Sequence, residues 1–475
     1  MIPTGTKPQA PRRGVVAILV AICLTFIVGM VAIAIDGGLL YLELRRTRAV
    51  ADAAAMAAAC DLFENYPTNS GTDPDGVAKN RALTVAQDNG LITGSVTRTE
   101  ETNSYTIRNS QGTVTVNIPP TSGPYAGKNG YAEVIIDRNV ERTFGRIFGT
   151  ATLPVHARAV SRGAWVAPNA GVLILDYDDS SSLNAQGNGA FTETGGPVIV
   201  NSNNPNALVT TGNGAVIGQE FYITGGVKVS GGANLQSSPT PGLIYTGTHP
   251  TPDPLAYLPV PSVPPNGTIT QVSIGSGNKR YTLTPGRFHN LPQFNTGDEV
   301  VFKQASAGNG GIYYIDGGGF KSTGATLTMD TGTTGGIMLY NAPQSTASSE
   351  KIQITGNKDG KVNLSPLTDG PYRGMMLWQD RNSPVDALVE GNGDFSIRGT
   401  FYAAGARLNI NGNGKTATGT VTGFWTDDNG NRVDGSSRIG SQYISKNLSL
   451  GGNGNISITY KGPDVARTRI IALVE

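Results

Sequence analysis

Three textures of hydrophobic patterning follow one another along the chain. Residues 15–35 carry no charge, and thirteen of these 21 positions are Val, Ile, Leu or Phe. As a helix this run spans ~32 Å, about the thickness of a hydrocarbon core. Its side chains sum to roughly −6 kcal/mol of insertion free energy, so a transmembrane helix is expected at 15–35. Helix formers continue through Leu39, Leu40, Leu42 and Leu44 into the alanines of 49–59, with no proline before Pro67. This predicts an alanine-rich helical extension over 36–62. Gly37 and Gly38 are its weak point, at about 1 kcal/mol each relative to alanine. Such a face suits a solvated stalk, or it lets another helix or a sheet approach closely, and the pattern leaves both open.

The second texture, 63–165, reads as a small membrane-proximal α+β domain. A helix is expected over 77–89, with Ala78, Ala82, Val85 and Ala86 on one face and Gly90 as its stop. Residues 113–118, 131–140 and 153–160 alternate as strands, with His156 opposite the apolar face of the last. Phe144, Ile147 and Phe148 mark a short amphipathic helix between them.

From 166 onward, short apolar alternations are separated by Gly, Asn and Ser: Val227/Val229, Leu327/Met329, Phe395/Ile397, Leu408/Ile410, Leu448/Leu450 and Ile456/Ile458. The triplet Gly187-Asn188-Gly189 recurs at Gly212-Asn213-Gly214, and Gly311-Ile312-Tyr313-Tyr314-Ile315-Asp316 recurs as Gly336-Ile337-Met338-Leu339-Tyr340-Asn341, both after 25 residues. Further Gly-Asn-Gly triplets start at 308, 391, 412 and 452. A period of 20–25 suits one coil of a parallel β-helix, with strands stacked at ~4.8 Å and Gly and Asn at the corners. The fold class expected is therefore mainly β: a transmembrane helix, a small α+β segment, then a parallel, right-handed β-helix-like domain over 166–475. The other candidate, a β-sandwich, needs turns every 8–12 residues without the longer repeat. Residues 239–265 hold nine prolines, so they read as an insertion unable to form ladder strand.

Composition narrows the functions. Charged residues are 15% and glycine is 64 of 475, the profile of a turn-dense β protein rather than of a disordered one. Lys+Arg 36 against Asp+Glu 35 gives no global field for phosphate backbones, so nucleic acid is not an expected partner. Cys23 and Cys60 sit ~55 Å apart on the expected helix and cannot pair within the chain. Lys7, Arg12 and Arg13 precede the apolar run without an acid, so residues 1–14 are expected to be a cytoplasmic tail and the bulk of the chain extracytoplasmic. Two processing readings compete with a retained single-pass anchor. Ala32-Ile33-Ala34 is a formal signal-peptidase site. Gly14 could serve prepilin-type cleavage, although the fifth residue after it is Leu19 where that pattern has Glu.

Arg12-Arg13-Gly14, the apolar run, Asp36-Gly37-Gly38-Leu39-Leu40-Tyr41 and Ala51-Asp52 with the alanines after it resemble the N-terminal region of the TadE/TadG-like proteins, membrane-anchored components associated with Flp pilus assembly. The likeness covers about 50 of 475 residues, with Arg48 where the family commonly has Gln. It implies an anchor motif of Arg12, Arg13, Gly14, Asp36, Tyr41 and Asp52, with the lipid bilayer and pilus-assembly or other envelope proteins as partners.

Chemistry is sought in vain among convergent groups. Glycosidases need paired carboxylates ~5–9.5 Å apart, and a 25-residue stack would set Asp316 beside Asn341 rather than beside a second acid. Asp380-Arg381 with Asp386, and Glu390 with Asp394, are the remaining acidic groups and read as corner or surface residues. Asp178-Asp179-Ser180-Ser181-Ser182 matches the metal-binding D-x-S-x-S of von Willebrand A domains, but Asn184-Ala185-Gln186-Gly187 follows where a helix belongs. His249 and His289 have no metal spacing, and no catalytic, cofactor-binding or metal residue is assigned. The expected function is that of a non-enzymatic, membrane-anchored envelope protein in pilus assembly or surface attachment. The alternatives are a membrane-tethered polysaccharide lyase or glycosidase and a carbohydrate-binding adhesin unrelated to pili.

Overall fold

A computed structural model describes residues 13–144, 146, 151–166, 168–238, 243–304, 311–332, 335–416 and 418–475. Most of the expected cytoplasmic tail, including Arg12, lies outside these residues, as do Ile147, Phe148, the triplet at 308 and the first four positions of the proline-rich insertion. Two compact units form: Met1–Trp165 with Ile470–Glu475, and Val166–Arg469.

In the first unit, α1 (Arg13–Glu64) runs unbroken through Gly37 and Gly38, and α2 (Tyr66–Asn69) and α3 (Val77–Asp88) follow. An antiparallel sheet follows in the order β1 (Thr97–Glu100), β2 (Ser104–Asn109), β3 (Gly112–Asn117), β4 (Tyr131–Glu141), β5 (Thr152–Val166). The C-terminal strand Thr468–Leu473 lies beside β5. The β-helix-like domain expected over 166–475 included these last residues, yet Ile470–Glu475 complete the first unit.

The alanine face of α1 is docked rather than solvated. Ala51, Ala54, Ala55 and Ala58 are fully buried against Ala82 and Ala86 of α3 and Val114, Val134 and Ile136 of the sheet. Their helical spacing puts them on one stripe, and their small side chains let the sheet come close. The Ser161 hydroxyl donates to the Ala55 carbonyl at 2.5 Å, and a Cβ on Gly163 would fall 1.9 Å from the Ala59 carbonyl oxygen. On the sheet's other face the Glu133 carboxylate is buried. Burial pushes its pKa up, but the Thr121 N–H, the Asn117 amide, the Arg158 guanidinium and the Thr121 hydroxyl outweigh it and hold the group at about 2. Arg158 also reaches the Glu475 side chain at 2.6 Å, and Val160 N–H donates to the Glu475 carbonyl at 2.7 Å, fixing the C-terminal strand on β5.

The second unit is β-helix-like: each coil contributes to three parallel stacks, and Thr400–Gly412 and Gln442–Gly452 are longer strands that each run through two of them. In space the order begins with six coils near 286–302, 312–329, 338–364, 375–397, 400–439 and 442–459, and continues with three near 172–194, 198–218 and 221–237. The chain therefore enters this unit in the middle of the stack, winds to one end, crosses to the other, and winds back until its last coil lies on its first. At that seam Tyr443 pairs with Val172 and Leu448 with Leu183.

The expected repeat is real at several corners. Gly187 pairs with Gly212, Gly391 with Gly412 and Gly412 with Gly452, and the Asn188 N–H donates to the Gly452 carbonyl across the seam at 3.1 Å. Asn453, Asn188 and Asn213 form an amide ladder with bonds of 2.9 and 3.2 Å. Leu408/Ile410 stacks directly on Leu448/Leu450. One register differs by a residue: Ile315, not Asp316, lies opposite Asn341, because the strands repeat after 26 positions there. Val229 is 47% exposed, since its coil ends the stack.

One stack is buried on both faces, which explains its unbroken apolar runs. Val172 and Ile174 point into the main core, while Leu173, Tyr340, Trp378, Tyr402 and Ile444 form a second cluster outside it, closed by Leu255 and Leu258. These two leucines belong to the proline-rich segment, which straps the stack from end to end. Ile244–Thr246 pairs with Phe221–Ile223, Asn201 exchanges hydrogen bonds with Thr251 (2.7 and 2.8 Å), Tyr402 donates to Asp253 (2.6 Å), and Asn266 bridges to Arg287. Arg381 donates to the Leu255 and Leu258 carbonyls at 2.6 and 2.8 Å while lying over Trp378. The expectation that this insertion holds no ladder strand is corrected at 244–246, because residues 242–249 lack proline and retain every N–H.

Glu193 lies at the seam, 2% exposed, opposite Ile458. Burial raises its pKa to about 7, against the pull of N–H bonds from Gly196 and Gln219. Since the unfolded carboxyl titrates near ~4.3, folding binds a proton between ~4.3 and ~7, and stability falls as pH rises through that window. Glu193→Gln should therefore stabilise the second unit by roughly 3 kcal/mol near pH 8 and by little near pH 4, as read by urea melts at the two pH values. Gly163→Ala should destabilise the first unit by about 1–3 kcal/mol, because backbone must move to admit the methyl group, measured as a loss of hydrogen-exchange protection in β4 and β5. Arg381→Ala removes charge-assisted bonds worth about 1.5–3 kcal/mol each and should expose the strap to cleavage near 251–258 in limited proteolysis.

Candidate functional site

The residues singled out by the sequence are strung along α1 rather than gathered in one place. Arg13 and Gly14 open the helix. Beyond them Ile18, Leu19, Ile22, Phe26, Ile27, Met30 and Ile33 are each more than half exposed. So continuous an apolar surface does not stay bare in water, and α1 is the one helix among the described residues long and apolar enough to cross a membrane.

Asp36 ends that surface. It is 8% exposed, and its Oδ1 accepts the backbone N–H groups of Thr143 and Phe144 at 3.1 Å each. These donors lie at the end of the β4–β5 hairpin, so Asp36 pins the hairpin to the helix. Two turns of helix further, Glu43 pairs with Arg138 of β4 at 3.1 Å. Tyr41 faces outward, with the Arg45 guanidinium 5.9 Å from its ring. Asp52 borders the docked face, and burial lifts its pKa against the nearby charge of Arg48. Asp36 and Asp52 are 16 residues apart, ~24 Å along the helix, so they act on different parts of the unit. The pinning role of Asp36 had no signature in the chain, because its donors are backbone groups.

In the second unit Asp380, Asp386, Glu390 and Asp394 are each engaged by a neighbour. Asp380 accepts from Tyr340 at 2.6 Å, Asp386 from Asn409 at 3.3 Å and Glu390 from Asn411 at 2.8 Å, while Asp394 lies 3.3 Å from the Lys361 ammonium. Asp386, Glu390, Asn409, Asn411, Lys351 and Ser449 line a groove of about 620 Å³ on the outer face of a stack. Asp178 and Asp179 donate their N–H groups to Asp176 in a corner loop, and the strand Leu183–Gly187 follows instead of a helix. The side chain of Asp316 meets Arg287, and the His289 imidazole Nδ1 is 2.8 Å from the Asp316 carbonyl oxygen. His156 lies 2.8 Å from the Asp137 carboxylate on the exposed face of the first sheet, and His249 is exposed. Among the described residues no group of three or more His, Cys, Asp or Glu side chains is placed to hold a metal ion.

No curated protein and no solved structure matches the chain. A family match falls on 14–61, the stretch that begins at the foot of α1 and ends with its docked alanines. Residues 14–61 match the family described as putative Flp pilus-assembly TadE/G-like.

Proposed function

We propose that this protein is a non-enzymatic, single-pass membrane protein of the cell envelope that works with Flp pilus assembly and presents its β-helix-like unit outside the cytoplasm. The observation that carries this reading is the coincidence of the TadE/G-like match with α1, bare over its first half and docked in the first unit over its second. The basic residues Lys7, Arg12 and Arg13 before the span favour a cytoplasmic N-terminus. The pairing of Asp380, Asp386, Glu390 and Asp394 with an amide, hydroxyl or ammonium from an adjacent coil favours a structural role for them over a catalytic one.

A second reading, attachment to a surface polysaccharide, draws on the groove of about 620 Å³ whose amides and carboxylates could meet sugar hydroxyl groups. Two measurements separate the readings. The full chain should remain in the membrane pellet after high-pH carbonate extraction, and release into the supernatant refutes the anchor. Deleting the gene should abolish pilus assembly; intact pili with lost attachment would select the polysaccharide reading instead.

A further inference from the structure

We propose that the strand Ile269–Gly275 is a self-association edge, on which a second copy of this chain lays its own Ile269–Gly275 antiparallel about a two-fold axis at Gln271. The strand follows the proline-rich strap and pairs antiparallel with Asn278–Leu283, setting Thr270 opposite Thr282 and Val272 opposite Arg280. Asn278–Leu283 pairs on its other side with Glu299–Phe302 of the parallel stack. Ile269–Gly275 therefore ends that sheet. Among the described residues no strand pairs with its far edge, and every one of its residues is exposed.

The inner ladder decides which groups the open edge offers. The Thr284 N–H donates to the Thr268 carbonyl at 3.0 Å, and in this register the two residues face each other, so they form a hydrogen-bonded pair. Bonded and non-bonded pairs alternate in an antiparallel ladder. Thr270 and Val272 thus also bond inward, while Ile269, Gln271 and Ser273 turn their N–H and C=O groups outward. A row of such groups is a template for another strand. Ile274 is the extra residue of a bulge beside the turn, so the flat part of the edge is 268–273.

The chemistry of the edge selects a second copy as its occupant. Native edges are commonly blunted by lysine or proline, yet the chain has no charged residue between Asp253 and Lys279 and no proline between Pro265 and Pro285. A strand bearing charges finds no counter-charge on this edge, whereas two copies meet with no like charges opposed. The nearest guanidinium, Arg280, is engaged by Glu299 at 2.5 Å. Lys279 donates to the Gln271 side-chain oxygen at 3.4 Å, which leaves the Gln271 Nε2 for Gln271 of the second copy. About this axis Ile269 bonds to Ser273 of the second copy, Gln271 to its own equivalent and Ser273 to Ile269, so every outward N–H and C=O of the flat part is satisfied. Between them Thr270 lies opposite Val272, a β-branched pair of the kind that stabilises sheets, on the side where Val272 is 65% exposed.

The test uses the full chain purified in detergent, with Cys23→Ser and Cys60→Ser removing the native thiols, and reads disulfide-linked dimer after mild oxidation. A hydrogen-bonded antiparallel pair holds its Cα atoms ~5.5 Å apart, the usual separation across a disulfide, so Gln271→Cys should link to itself. Thr270→Cys mixed with Val272→Cys should link in higher yield than either alone, because only the mixture sets thiols directly opposite. Tyr177→Cys, at a position 56% exposed, gives the collisional background. Adding Thr270→Lys and Val272→Lys to Gln271→Cys opposes ammonium groups across the axis and should lower its linkage about ten-fold. Linkage of Gln271→Cys no greater than that of Tyr177→Cys overturns the edge contact. A mixture that links no better than its components places the strands in another register and overturns the two-fold pairing. Linkage unchanged by the two lysines assigns association to another surface and overturns the proposal as well.

Discussion

The pairing of the last coil with the first is the contact on which the second unit depends. Without it the stack is two separate piles, one of six coils and one of three, each with an open apolar end. The pairing joins Tyr443 to Val172, residues 271 positions apart. Its entropic cost is smaller than the separation suggests, because closing such a loop rather than one of 25 residues adds only ~2 kcal/mol. Against this stands a whole layer of backbone bonds and the burial of Val172, Leu183, Leu448 and Leu450 on one another. The burden falls on folding rate, since non-local pairing is slow to form.

Winding from the middle has a geometric consequence: the chain must travel from one end of the stack to the other outside it. The proline-rich strap does this, and its composition suits the task. Proline lacks the N–H that would be left unpaired on an outer path and holds the segment extended. The strap also covers apolar surface. Leu255 and Leu258 close over Trp378 and Tyr402, while Arg381 donates to both of their carbonyls, that of Leu255 also accepting the Leu258 N–H. The same arrangement leaves both ends of this unit's chain near its seam, where Tyr460 donates to the Pro168 carbonyl.

The sequence revealed local features and concealed their order. Leu408/Ile410 and Leu448/Leu450 could be recognised as stacked strands because a period of two and a Gly-Asn-Gly corner survive in any topology. The seam was hidden because the triplets at 412, 452, 187 and 212 are alike, so nothing in them says that 452 precedes 187 in space. The strap was read as an interruption because proline excludes ladder bonds locally, whereas its value lies in covering side chains far away. The C-terminal strand fell inside the bounds 166–475 for a related reason: nothing local in residues 468–473 says which sheet they join. On α1 the uncharged run was plain, but alanine is compatible with water and with close packing alike, so docking could be settled only by Gly163 and Ser161 on a distant strand.

That docking gives the anchor its mechanical character. Gly37 and Gly38 have no atom within 4 Å of where a Cβ would lie, so no packing stiffens the helix at these positions, and glycine alone would make them a hinge. Two ties span them instead. Asp36 holds the Thr143 and Phe144 backbone on the membrane side, and Glu43 holds Arg138 on the other. Both ties run to the same hairpin, so the glycines are bridged by a splint of β structure. The bare half of α1 and its docked half consequently behave as one rod, and the direction in which the helix crosses the bilayer sets the orientation of the first unit's sheet.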